Sequence, residues 1–329
     1  MILPSRSRRC VARRLTAAGI LLLGLAGCAT PQLQALLSTD SAARPQRAEL
    51  DAVPFYAQDE YQCGPAALAM VLEAGGKATQ PEVLRPQVYL PDRQGSLQVE
   101  MLAATRRNGF VAVELSPKLS DLLAEIAAGN PAVVLQNLAL DWYPVWHYAV
   151  AIGYDLDARQ IVLRSGTERR LEMSLSTFER TWQRSGYWAM LALPPGRFPA
   201  SVGVAEYLSA VTKLEKAGPP ESARAAYQRA LERWPDQFTA LIGAGNTAYR
   251  TGDFEGAERA FRRATVVYPR SAAAHNNLAQ TLADLDRYDE ALTEARLAVG
   301  LGGPLEDASI RTLDTIVKRT GRGEQEWNK

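Results

Sequence analysis

The stretch Val53-Pro54-Phe55-Tyr56-Ala57-Gln58-Asp59-Glu60-Tyr61-Gln62-Cys63-Gly64-Pro65-Ala66-Ala67 decides how the chain is read. A cysteine followed directly by Gly-Pro and an apolar run predicts a short helix over residues 65–74, closed by Gly75-Gly76. Cys63 then lies at the helix N-terminus. Unpaired backbone N–H groups and the positive end of the helix dipole stabilise a thiolate there, which predicts a thiol pKa below the ordinary value of about 8.5. A structural cysteine more often sits inside the apolar face of a helix. Gln58, upstream of the cysteine, can lie beside it and donate its side-chain amide toward a developing oxyanion. A cysteine nucleophile needs a base. The chain has two histidines, His147 and His275, and His147 opens the alternating run His-Tyr-Ala-Val-Ala-Ile-Gly-Tyr, which places it at the start of a strand.

Around this pair the chain mixes helices and strands from Val53 to Pro195. Helices are predicted over residues 97–107 and 119–128, the second closed by Gly129-Asn130-Pro131. Strands are predicted over 111–115, 132–138, 147–154, 160–164 and 187–193, with a hairpin turn at Asp155-Leu156-Asp157-Ala158-Arg159. Helices first and an antiparallel sheet after them make an α+β domain rather than a doubly wound parallel sheet. Trp142, Tyr143, Trp146 and Tyr148 surround His147 and can line a cleft, or simply pack. Asp92, Arg93 and Gln94 read as a solvated loop. Pro194-Pro195-Gly196 and Pro199 mark a boundary.

Beyond that boundary the chain repeats. Ala223, Ala257 and Ala291 recur at an interval of 34 residues, as do Ala230, Ala264 and Ala298. Tyr227 matches Phe261 and Pro235 matches Pro269 at the same interval. This period and its small-aromatic-small-proline positions resemble the tetratricopeptide repeat. The third repeat departs from the pattern, with Ala295 at the aromatic position and Gly303 at the proline position. His275 falls in this repeat, away from the chemistry. Stacked helix pairs leave a groove suited to a protein partner.

Composition bounds the rest. The 329 residues are 47% hydrophobic and 22% charged, which supports packed cores and excludes a mainly disordered chain. The net charge of +1 is uneven, because Arg6, Arg8, Arg9, Arg13 and Arg14 sit in a leading segment without an acid. The remainder is slightly acidic, so no nucleic-acid partner is expected. Three cysteines and two histidines make neither a disulfide framework nor the usual zinc site, and no cofactor is expected. After the arginines, residues 15–27 form an apolar run too short to span a bilayer, as in a secretory signal. It ends in Leu25-Ala26-Gly27-Cys28, which resembles a bacterial lipobox. That resemblance implies cleavage before Cys28, acylation of Cys28, and a membrane anchor that needs no spanning helix. Ala29 rather than aspartate follows, which implies the periplasmic side of the outer membrane. Cys10 leaves with the signal, so Cys63 is the one free thiol expected in the mature chain.

Gln58, then Cys63-Gly64-Pro65, then His147-Tyr148-x-Val150-x-x-Gly153-Tyr154 together resemble the papain-like bacteriocin-processing peptidases, which remove double-glycine leaders, and their stand-alone secreted relatives. The resemblance covers residues 51–195. It implies a papain-like α+β fold, with Cys63 as nucleophile, His147 as general base and acid, and Gln58 as oxyanion donor. The family's orienting aspartate, on the strand after the histidine's, is replaced. That strand reads Ile161-Val162-Leu163-Arg164-Ser165-Gly166, so Ser165 takes the position, with Asp155 and Asn137 as alternative orienters. The expected organisation is a signal peptide over 1–27, a lipid-anchored tether over 28–50, a peptidase domain over 51–195 and a linker over 196–203. Three repeats over 204–305 and a capping helix with tail over 306–329 follow. The activity implied is hydrolysis of peptide or protein substrates. The alternatives are a non-catalytic peptide-binding scaffold and a thiol acyltransferase on the same fold.

Overall fold

A computed structural model describes residues 30–38, 44–57 and 62–320. Cys10, Cys28, Gln58 and the segments 1–29 and 321–329 lie outside the described residues. The N-terminal domain is built on one antiparallel sheet of seven strands: β1 (Arg47–Glu49), β4 (Val111–Glu114), β5 (Ala132–Asn137), β6 (Trp146–Asp155), β7 (Gln160–Ser165), β8 (Glu168–Ser174) and β9 (Ala189–Leu193). Their order is β4-β9-β5-β6-β7-β8, and β1 pairs with the far end of β6. A separate two-stranded hairpin joins β2 (Tyr89–Leu90) to β3 (Gly95–Ser96).

The central strand β5 reads Ala-Val-Val-Leu because both of its faces are buried, which removes the polar alternation of a one-sided sheet. Val133 and Leu135 face a core shared with α2 (Cys63–Ala74), α3 (Pro81–Val88) and α4 (Gln98–Arg107). Ala132 and Val134 face a second core with α5 (Leu119–Ala127) and α6 (Leu175–Gln183). The α+β class expected from the sequence is the class observed. The sequence reading lacked α3, β8 and α6. Pro86 inside α3 masks its helical pattern, and β8 is an exposed edge strand of mostly charged residues. The Tyr-Trp strand start at 187 shortens to Ala189, because Tyr187 takes a left-handed turn with φ 59°.

Two flanking segments differ from expectation for one physical reason. Part of the expected tether is α1 (Pro31–Ser38), with Leu33 and Leu36 buried, and part is β1. Glu179 on α6 is fully buried, and its carboxylate accepts the backbone N–H of Gln32 at 2.9 Å and of Leu33 at 2.8 Å. It thereby caps the first turn of α1, where helix N–H groups lack internal partners. The linker is held in the same way. Fully buried Glu125 on α5 accepts the N–H of Ala200 at 2.9 Å, the N–H of Ser201 at 2.7 Å and the hydroxyl of Ser201 at 2.6 Å. Asn130 donates its amide to the same carboxylate at 2.7 Å.

Helices α7 (Val204–Ala217) and α8 (Pro220–Arg233), α9 (Phe238–Arg250) and α10 (Phe254–Val267), α11 (Ala272–Asp284) and α12 (Tyr288–Leu301) form three pairs, followed by α13 (Glu306–Thr320). The recurring alanines are buried between paired helices. In the second pair Gly245 lies against Phe261, where a Cβ would approach the ring to 2.3 Å. In the third pair the ring is Ala295, and buried Ala279 takes the equivalent place of Gly245. Tyr207, Leu208, Val211 and Leu214 of α7 enter the same core as β4, α5 and α6, so the repeats and the sheet share apolar interior.

Replacing Glu125 by Ala leaves the Ala200 and Ser201 N–H groups and the Asn130 amide without their acceptor. The expected loss is about 2–4 kcal/mol in urea unfolding. Trypsin should then cut at exposed Arg197 faster than in the wild type.

Candidate active site

Cys63 is the first residue of α2, and Gln62 before it makes no side-chain cap. Pro65 carries no N–H, and the Ala66 N–H is taken by the Gln62 carbonyl at 3.2 Å. The uncapped N–H groups of Cys63 and Gly64 therefore face the sulfur, and the backbone N–H of Tyr148 on β6 joins them. Gly64 is a steric requirement. A Cβ there would lie 2.2 Å from Ser96 Oγ and 2.6 Å from Ser96 Cβ, so the β2–β3 hairpin presses directly on the helix start. Tyr148 is buried, donates its hydroxyl to the Ser96 carbonyl at 3.2 Å, and meets Trp188 edge-on at 5.8 Å.

His147 is the second residue of β6, opposite Gln136 on β5. Its Nε2 lies 2.8 Å from Ser165 Oγ at the end of β7. The register explains the meeting. Arg164 pairs with Val150, so Ser165 lies beside Ala149, on the same face as His147 and diagonal to it. The alternative orienters are engaged elsewhere. Asn137 Oδ1 accepts the N–H groups of Ala139 at 3.1 Å and Val145 at 3.0 Å, holding the following loop. Asp155 accepts the Ala158 N–H at 2.8 Å in the hairpin turn, eight residues along β6 and therefore about 26 Å from His147.

Cys63 and His147 line one cleft of about 900 Å³. Tyr143, Val145 and Trp146 form one wall, and Arg93, Gln94 and Ser96 form another. Residues 92–94 are exposed, as a solvated loop should be, yet Arg93 and Gln94 also border the cleft. Tyr143, Trp146 and Tyr148 all line the cleft, and of these Tyr148 is buried in the core. Arg184 and Ser185, just after α6, also line it; sequence reasoning missed them because it missed α6. Leu175, Phe178 and Trp182 at helical spacing, behind the N-cap Ser174, are the signal that locates that helix.

Arg164 is a further residue the sequence reading did not single out. It is buried, and its guanidinium donates to the carbonyls of Val53 at 3.0 Å and Asp51 at 3.1 Å. It anchors the segment that leads toward Cys63, and it lies one position from Ser165.

The electrostatics correct one expectation. Burial pushes the Cys63 thiol up, and this outweighs the lowering by the N–H groups of Tyr148, Gly64 and Cys63. Burial also pulls the His147 imidazole down. The helix N-terminus lowers the thiol as anticipated, but desolvation is the larger effect. Both shifts favour a neutral thiol beside a neutral imidazole at rest. Alkylation of Cys63 by iodoacetamide should therefore keep rising through the alkaline range. A rate plateau from about pH 4 upward, lost in His147→Ala, would instead reveal a preformed thiolate–imidazolium pair.

Residues 50–190 match the model of the Peptidase_C39 like family, and residues 208–264 and 242–304 match that of the tetratricopeptide repeat. A structure described as a C39-like peptidase from Bacillus anthracis is 20% identical and covers 45% of this chain and 97% of its own, with a TM-score of 0.38. A structure of MamA is 20% identical over 40% of this chain and 75% of its own, with a TM-score of 0.34. No curated protein matches the chain. The chain thus joins a C39-peptidase-like α+β domain to a run of tetratricopeptide repeats.

Proposed function

We propose that the chain is a lipid-anchored cysteine peptidase of the bacterial envelope, held to the periplasmic side of the outer membrane through Cys28. The observation that carries the catalytic part is the 2.8 Å contact of His147 with Ser165, in a cleft whose other side presents Cys63 at an uncapped helix start. Ser165 engages Nε2, so Nδ1 is the ring nitrogen left to exchange a proton with the thiol. On this reading the neutral imidazole takes the thiol proton as the sulfur attacks the peptide carbonyl carbon. The N–H groups of Cys63 and Gly64, assisted by the Gln58 amide, stabilise the oxyanion. Collapse breaks the C–N bond, and the imidazolium returns its proton to the leaving amine. Water, deprotonated by the same imidazole, then releases the acid from the thioester.

The repeats are proposed to recruit a protein partner. Asn277 donates to Asn246 at 3.2 Å across the first helices of neighbouring repeats, on the row of helices that lines the groove of such an array. Truncation is a poor test, because α7 covers the core of the sheet domain. The double substitution Asn246→Arg and Asn277→Arg should instead abolish partner co-precipitation while hydrolysis of a short peptide continues.

The neutral resting pair also favours a second reading, a domain that binds peptides without turnover. One fluorogenic peptide separates the two. Cys63→Ala and His147→Ala should each remove nearly all hydrolysis. Ser165 positions the imidazole through an uncharged hydrogen bond worth about 0.5–1.5 kcal/mol, so Ser165→Ala should slow turnover by roughly tenfold or less. A collapse in Ser165→Ala as deep as in Cys63→Ala would defeat the positioning account. Binding without hydrolysis by the folded wild type would defeat the peptidase reading itself.

A further inference from the structure

One end of the sheet carries an apolar surface that nothing among the described residues covers. In the loop of residues 138–145, between β5 and β6, Leu138, Leu140, Trp142, Tyr143 and Val145 are exposed, and Trp146 after it is 52% exposed. Trp142 reaches 81% and Tyr143 69%. The loop is nevertheless built. Besides accepting two loop N–H groups, buried Asn137 donates its amide to the Leu140 carbonyl at 3.3 Å. Leu140 in turn accepts the Tyr143 N–H at 3.1 Å. A buried amide thus holds a cluster of apolar side chains out in water, at a hydrophobic cost that the fold itself does not recover.

The N-terminal segment docks at the same end. β4 and β5 both end there and β9 and β6 both begin there, as the pairings Glu114↔Met190, Val134↔Ala189 and Asn137↔Trp146 require. Just past β4, the Pro117 carbonyl accepts the Gln32 amide at 3.0 Å, and the Leu119 N–H donates to Gln32 Oε1 at 2.6 Å. These contacts seat the start of α1. With β4, β9, β5 and β6 side by side at a spacing near 4.8 Å, about 10–15 Å separates that seat from the aromatic loop. Cys28 precedes Thr30 by two residues, a reach of about 7 Å.

We propose that residues 138–146 form a membrane-docking loop. This rests on the lipid-anchored reading: acyl chains on Cys28 emerge at the loop's end of the domain, and the bilayer interface takes up Trp142, Tyr143 and their apolar neighbours. Indole and phenol rings, apolar over most of their surface and polar at one atom, suit the headgroup boundary. The loop is far too short to span the bilayer, so it lies in the interface. Tyr143, Val145 and Trp146 also wall the cleft, so the mouth of the site opens at the membrane surface. Its substrates are then peptide segments presented beside the bilayer. A protein ligand could cover the same loop, but the seat of α1 at this end of the sheet favours the bilayer.

The test uses the full mature chain with phosphatidylethanolamine–phosphatidylglycerol vesicles whose acyl chains carry bromine. The mass of the N-terminal peptide first shows whether Cys28 is acylated, which judges the anchor reading separately. With acylated protein, bromine should quench part of the tryptophan emission, and Trp142→Ser should remove most of that quenching. Hydrolysis of a short soluble peptide should be unchanged in Trp142→Ser, and hydrolysis of a vesicle-tethered peptide should fall. Should Cys28 prove unacylated, co-sedimentation with the same vesicles replaces quenching, and Trp142→Ser should weaken it by about tenfold. Unquenched emission from vesicle-bound acylated protein, or co-sedimentation indifferent to Trp142→Ser, overturns the proposal.

Discussion

The packing of α2 on β6 is the constraint on which the rest of the structure depends. The helix is buried from Gly64 to Leu72, and its small residues, Ala66, Ala67 and Ala69, let the backbone approach the sheet closely. That approach brings the Cys63 sulfur to the Tyr148 N–H, one residue from His147. Cys63 is therefore positioned by the core and not by a mobile loop. A buried helix tolerates little change in volume, so its first residue is held as firmly as its middle. Gly64 belongs to the same constraint, because any larger residue displaces Ser96 and with it one wall of the cleft.

Two buried carboxylates extend this body beyond the family domain. Glu179 and Glu125 each give up hydration, a cost of several kcal/mol for an isolated buried charge. Each recovers it by accepting several aligned N–H donors, at the start of α1 and in the stretch before α7. These charge-assisted bonds are among the stronger kinds. They convert what composition alone marks as tether and linker into parts of one packed unit, with α7 in the core of the sheet. A partner held by the repeats would consequently meet the cleft in a defined orientation.

What was legible in the sequence was local or periodic. The 34-residue spacing of small residues, the Cys-Gly-Pro helix start and the alternation after His147 each needed one short window. Ser165 is reached through the family's orienting position and not through register: counting from the hairpin pair Asp155↔Gln160 sets it opposite Val150, and only the irregularity between Ala151 and Gly153 moves it beside Ala149, on the His147 face. What escaped depends on partners distant in sequence. Glu179 meets Gln32, Glu125 meets Ala200, and Arg164 meets Val53, and no window contains both members of any of these pairs. The thiol pKa escaped for a related reason. The helix-terminus argument counted the N–H groups that favour a thiolate, but the opposing desolvation comes from walls contributed by β6 and the β2–β3 hairpin.

Ser165 and the desolvation of the pair are consistent with one another. A carboxylate at position 165 would be a third buried carboxylate, and it would favour imidazolium over imidazole. A serine hydroxyl orients the ring without adding that charge, and burial already pulls the imidazole down and pushes the thiol up. On the proposed peptidase reading, no ion pair is needed before substrate arrives. On that reading the proton would cross as the carbonyl arrives, when the oxyanion donors gain a charge to stabilise. The reactive thiolate would then be tied to an occupied cleft, which would limit chance oxidation of the thiol. A site of this kind relies on whatever brings a peptide to its cleft, and in this fold the aromatic loop borders that cleft through Tyr143, Val145 and Trp146.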